Sequence, residues 1–166
     1  QIEVLIKSLH KRKNENSSLE TKPILLKISP DMNEEQLRDI SLISLASGID
    51  GLIISNTTVD RPSSLISRNK NEVGGLSGKP LFIKSTLILK KIYTLTQGQI
   101  PLIGVGGISN GLEFYEKIKS GASLAQFYTA LIFQGPQIVG QIKQEILSCL
   151  KTDGFKNIKE AVGKNV

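Results

Sequence analysis

Short apolar runs alternate with longer amphipathic stretches along most of the chain. Ile24-Leu25-Leu26-Lys27-Ile28 reads as a strand, stopped by Ser29-Pro30-Asp31. Asn33, with Gln36 three residues later, is a capping-box start, and Leu37, Ile40, Ile43 and Ser44 recur at helical spacing until Gly48. Gly51-Leu52-Ile53-Ile54-Ser55 predicts a second strand. Asn56 to Lys79 is too rich in Ser, Asn, Gly and Arg for a core element, and loops this long are usually functional or partly disordered. Pro80 suits the first turn of a helix carrying Leu81, Leu87, Ile88 and Leu95. Ile100 to Val105 predicts a third strand, running into Gly106-Gly107. Ser109 or Asn110 caps a helix through Lys119, closed by Gly121. Leu124 to Tyr128 predicts a fourth strand, and Pro136 opens a long helix with Ile138, Val139, Ile142, Ile146 and Leu150 on one side. Upstream, Ile2, Leu5, Ile6 and Leu9 mark a helix, and Lys13 to Lys22 a polar linker. Gly154 to Val166 leaves room for one short helix.

The pattern is therefore a helix followed by four strand–helix units whose strands are apolar on both faces, which describes a parallel α/β sheet. A complete eight-stranded barrel takes about 250 residues and seldom fewer than 200. Four units in 166 residues make either a small open sheet or the second half of a (β/α)8 barrel. Because the chain begins in mid-helix, it is expected to be the later part of a larger protein.

Composition narrows the chemistry. With 39% hydrophobic and 22% charged residues the chain is globular rather than disordered. One cysteine, Cys149, and one histidine, His10, exclude a disulfide framework and a His/Cys metal cluster, so no metal site is expected. No apolar run approaches the roughly 20 residues that span a bilayer. The net charge of +6 is scattered, apart from Lys11-Arg12-Lys13 and Lys90-Lys91, and the aromatics sit in apolar stretches. That argues against a nucleic-acid partner and is compatible with loose attraction to an anionic membrane surface.

In parallel α/β folds, ligands meet the chain just past the carboxyl ends of the strands. Those positions hold Lys27, Ser55-Asn56-Thr57-Thr58, Gly104-Val105-Gly106-Gly107 and Tyr128-Thr129, and the long loop adds Gly74-Gly75-Leu76-Ser77-Gly78. Gly104 to Ser109 is an imperfect dinucleotide fingerprint: its third glycine is Ser109, and no acidic residue lies about 20 positions on. It reads as a phosphate cradle or as a Gly-rich turn chosen for packing. Gly106-Gly107 and Tyr128-Thr129 follow the last two strands, where barrels commonly bind phosphate. Lys27, a charge in an apolar strand, pairs with an acid, reaches past the sheet end, or contacts an anion. Asn56 and Thr57 offer an amide and a hydroxyl to a polar ring, or form a turn. His10 is expected to be solvated and Cys149 to pack.

Taken together, Leu26-Lys27-Ile28-Ser29-Pro30-Asp31, Asp50 through Thr58, Gly74 through Leu81, Pro101 through Gly107 and Gly121 through Ala130 resemble dihydroorotate dehydrogenase, in its class 2, quinone-linked branch. The resemblance runs from about Lys22 onward, and the first helix and linker match weakly.

The resemblance implies an FMN-binding barrel that oxidises dihydroorotate to orotate in pyrimidine synthesis and passes electrons to ubiquinone. The chain would be the C-terminal part of that single domain, with residues 1–22 a helix and linker and 23–166 four strand–helix units and a last helix. Early strands and N-terminal quinone-binding helices that meet the membrane surface would lie outside it. Position by position, Lys27 would contact the flavin near its pyrimidine edge, Ser55 would touch flavin, and Ser77-Gly78 would pack on it. Gly106, Gly107, Tyr128 and Thr129 would bind the FMN phosphate, and Asn56 and Thr57 the orotate ring. No serine here lies in the motif of the family's catalytic base, so no catalytic residue is assigned. The implied location is the mitochondrial inner membrane, or the cytoplasmic membrane of a bacterium. Two other readings remain at this point: another FMN barrel oxidoreductase, and a non-catalytic basic module for phosphorylated ligands.

Overall fold

In the computed structural model, which describes residues 1–166, four parallel strands lie side by side in chain order: β1 (Leu25–Ile28), β2 (Gly51–Ile54), β3 (Leu102–Val105) and β4 (Leu124–Gln126). The helices are α1 (Ile2–Asn14), α2 (Glu34–Ser47), α3 (Phe82–Thr96), α4 (Gly111–Lys119), α5 (Thr129–Gln134) and α6 (Ile138–Asp153). Short 3-10 turns occupy Lys79–Leu81 and Ile158–Ala161. The strand order never reverses, so the sheet lacks the switch point of a doubly wound fold and has the succession of a barrel wall.

Local chemistry sets the helix ends. Asn33 Oδ1 accepts from the Gln36 N–H and Gln36 Oε1 from the Asn33 N–H, each at 2.9 Å, completing the capping box, and Gly48 closes α2 at φ +69°. Asn110, not Ser109, caps α4 by accepting from the Glu113 N–H at 2.8 Å. Ser109 instead gives both its N–H and its hydroxyl to the Glu113 carboxylate at 2.7 Å.

The core lies between the sheet and the helices. Leu52, Ile54 and Leu102 are wholly buried there with Ile88, Leu89 and Ile92 of α3. α6 contributes Ile138, Ile142, Ile146 and Leu150. On the other sheet face the two outer strands are exposed, at Leu25 and Lys27 of β1 and Leu124 and Gln126 of β4, while the central strands β2 and β3 are buried or half-buried throughout, so the both-faces burial that the composition predicts holds for β2 and β3 only. Lys27, Ile53, Ile103 and Leu124 form one row across that face, one residue out of step with the row covered by helices, and the row is exposed only at its two ends.

Several further expectations change. Lys27 is exposed rather than buried, because it stands on the outer strand, on the face that the helices do not cover. On α1 only Ile6 is buried, while Ile2, Leu5 and Leu9 face outward. Leu87 and Leu95 point away from the core because the buried stripe of α3 runs through Ser85, Ile88, Leu89, Ile92 and Thr96, and Val139 likewise faces outward on α6. β4 ends at Gln126, two residues early, since Tyr128 turns the chain into α5, a helix the pattern did not predict. His10 is half-buried, with its Nε2 unpartnered, rather than solvated.

Candidate functional site

At the carboxyl ends of the strands the chain surrounds a cavity of about 290 Å³. Its lining includes Lys27, Ser55, Asn56, Thr57, Ser77, Gly78, Gly106, Gly107, Tyr128 and Thr129, the ten residues to which the resemblance gives roles, whereas Thr58, Gly74, Gly75, Leu76 and Gly104, also picked out at the strand ends and in the long loop, do not line it. Leu81, Val105, Ile108 and Phe127 supply apolar walls. Leu81, Val105 and Phe127 lie within the strings that carry the resemblance but were given no role, and Ile108 lies just outside them.

Lys27 is the third of the four residues of β1 and forms none of the six ion pairs of the protein. An exposed, unpaired cation at the rim is free to meet an anionic or electron-rich group. Ser55 is nearly inaccessible, and its hydroxyl donates to the Asn56 carbonyl at 2.9 Å. The Ser55 N–H donates to Val105 O at 3.1 Å and the Asn56 N–H to Ile28 O at 2.8 Å, so this turn is tied to both neighbouring strands. Asn56 Oδ1 accepts from the Thr57 N–H at 3.0 Å, the turn arrangement, while its side-chain amide nitrogen has no protein partner.

The long loop is ordered without helix or strand. Thr58 and Leu76 exchange backbone hydrogen bonds at 3.1 and 2.7 Å. The Arg61 guanidinium donates to the carbonyls of Thr58, Val59, Asp60, Lys70, Glu72 and Gly74, cross-linking both arms of the loop. Lys84 of α3 pairs with Asp31, which follows β1, and with Asp60. Burial acts to raise the Asp31 carboxyl, but hydrogen bonds from Lys84, Thr58 and the Val59 N–H outweigh it and hold it below the usual carboxylate value. Gly75 is required where the loop closes, because a Cβ there would collide with the Thr57 side chain.

On the opposite side, Gly106 and Gly107 have φ of +111° and +79°, and a Cβ on Gly107 would lie 2.6 Å from the Phe82 nitrogen. The chain can make this double turn against the start of α3 only with glycine. The backbone N–H groups of Gly78, Gly106, Gly107 and Tyr128 donate to no protein acceptor. Buried or half-buried amides are rarely left unpaired in native proteins. These four donors around one cavity, three of them in buried or half-buried residues and the fourth in exposed Tyr128, together with the Ser77 and Thr129 hydroxyls 3.1 Å from each other, form a donor-rich cradle for an anion. A phosphate group fits that donor set.

The chain is similar in sequence and in fold to known proteins. The protein-family model for dihydroorotate dehydrogenase matches residues 3–150. A mitochondrial dihydroorotate dehydrogenase (quinone) of Arabidopsis thaliana is 54% identical over 143 residues, covering 85% of this chain and 31% of that protein. A dihydroorotate dehydrogenase (quinone) of Parvibaculum lavamentivorans is 52% identical over 144 residues, 87% of this chain and 41% of that protein. The crystal structure of ligand-free DHODH from Eimeria tenella superposes with a TM-score of 0.92 at 37% identity, covering 99% of this chain and 49% of that one. The chain thus spans between about a third and a half of the length of these relatives.

Proposed function

The chain belongs to the dihydroorotate dehydrogenase family, and on that premise we propose that it forms the cofactor-phosphate side and part of the substrate seat of an FMN enzyme oxidising dihydroorotate to orotate, with a quinone as electron acceptor. It would be the C-terminal part of one barrel domain, with residues 1–22 leading into four strand–helix units. The observation that carries the reading is the ring of unpaired amides at Gly78, Gly106, Gly107 and Tyr128, with Lys27 on the same cavity.

FMN, when bound, supplies the two-electron acceptor that a saturated ring needs to become unsaturated. The residues of this chain bind and orient. The four free N–H groups and the Thr129 hydroxyl hold the phosphate, and Ser77 with Gly78 packs beside it. Lys27 places a positive charge where a reduced, electron-rich ring would need one, and Ser55 closes the floor between β2 and β3. The unpaired Asn56 amide and the Thr57 hydroxyl face the cavity rim, suited to the carbonyl and N–H groups of orotate. They fix the ring rather than move its proton, and positioning of this kind contributes several kcal/mol to a barrier. No residue here is assigned as the proton acceptor.

A quinone acceptor would call for a quinone-bearing membrane, the mitochondrial inner membrane or the bacterial cytoplasmic membrane. No helix of this chain is long and apolar enough to cross it. A visible spectrum of the purified protein tests the proposal. A flavin spectrum that bleaches on anaerobic addition of dihydroorotate is expected. A colourless protein that also fails to take up added FMN would overturn it.

A further inference from the structure

Lys117 is the one charged side chain wholly removed from solvent. α4 presses it against the start of α3, where its Nζ donates to Ser85 Oγ at 2.6 Å and to Phe82 O at 3.5 Å and lies 5.0 Å from the centre of the Phe82 ring. It forms no ion pair. The carboxylates that act on it, Glu113 and Glu116, are on its own helix, and both are engaged: Glu113 by Ser109, and Glu116 by Lys90 of α3 at 3.6 Å. β3 faces it with Gly104, which carries no charge. Burial pulls its pKa down to about 7 against the opposing pull of Glu113 and Glu116.

Ser85 Oγ also stands 3.2 Å from Gly106 O and 3.1 Å from Phe82 O. An ammonium can only donate. While Lys117 is charged, Ser85 must accept from it and turn its own proton toward a carbonyl. A neutral amine can accept from Ser85 instead, which releases the Gly106 carbonyl.

We propose that Lys117 is a positioning residue of the anion cradle: through Ser85 its ammonium pins the Gly106 carbonyl to α3, leaving the Gly106 and Gly107 N–H groups for a phosphate monoester. The inference rests on the phosphate reading above. It makes phosphate binding and protonation of Lys117 reciprocal, because each favours the other.

FMN and riboflavin differ only by the phosphate, so the ratio of their affinities isolates the cradle. Both flavins are titrated by fluorescence quenching into flavin-free wild type, K117M and S85A at pH 6.5 and 8.5, with circular dichroism to verify folding. In K117M the preference for FMN should fall at least about fivefold, the lower range of site-to-site coupling, with a smaller fall in S85A. In the wild type the preference should drop from pH 6.5 to 8.5, and in K117M that drop should vanish. The phosphate's own second ionisation, near 6, acts with the opposite sign. An unchanged preference in K117M, or an equal loss of both flavins, overturns the proposal. If K117M does not fold, S85A decides by the same criterion. Wild type that binds neither flavin defeats the flavin reading itself, and this inference with it.

Discussion

Ser77 Oγ and Thr129 Oγ1 stand 3.1 Å apart although 52 positions separate them, so the end of the long loop after β2 is fastened to the first residue of α5. Gly78 packs on the same threonine, and a Cβ there would sit 3.0 Å from Thr129 Cγ2. One residue therefore joins two of the free amides of the cradle. Thr129→Val keeps the shape and removes the hydroxyl. The loss in stability should be about 1 kcal/mol or less, with a larger loss in FMN affinity. Urea unfolding and flavin titration on the same samples compare the two.

Lys27→Ala should leave folding within about 0.5 kcal/mol of wild type, since an exposed, unpaired side chain contributes little. Flavin affinity or the rate of flavin reduction by dihydroorotate should fall. Normal values for both would remove Lys27 from the site.

Gly107→Ala places a Cβ against the Phe82 backbone at a φ of +79°. A shift of α3 is needed to relieve the clash, and the strained backbone alone costs about 1–3 kcal/mol. A lower melting temperature together with lost FMN binding is expected. Unchanged stability would mean that the turn is looser than its contacts imply.

Arg61→Ala withdraws the donor shared by six backbone carbonyls of the loop. The core does not depend on it, so amide exchange should speed up between residues 58 and 76 while the sheet amides stay protected. Exchange that rises everywhere would show that the loop is part of the cooperative core.

Lys117 gives stability a definite pH dependence. The unfolded chain keeps this proton up to about pH 10.4, while the folded chain releases it near 7. Between those values the unfolded state binds more protons, so stability rises with pH, by at most about 1.4 kcal/mol per unit from this one group. The difference between wild type and K117M, measured by urea unfolding at pH 7.5 and 9.5, should move in favour of the wild type at the higher pH. A constant difference would show that the amine stays charged.

What could be read from the sequence was what neighbouring residues decide among themselves. The Asn33–Gln36 capping box and the Gly48 stop are local events, settled within a few positions, and they appear where the pattern predicts them; the apolar runs of β1 to β3 are legible as local composition, although their pairing partners lie 26 to 50 positions away. The residues around the cavity were legible because parallel strands put their carboxyl ends together, so polar motifs after successive strands must converge. Which face of the sheet the helices cover is not local. That choice left Lys27 exposed, turned Leu87 and Leu95 outward, and buried Lys117, a residue that reads as an ordinary surface charge in Glu116-Lys117-Ile118-Lys119. The early end of β4 at Gln126 and the start of α5 at Thr129 go with a contact from Thr129 to Ser77 and Gly78, far along the chain. Burial and hydrogen-bond partnership arise between segments distant in sequence, so only the packed chain decides them.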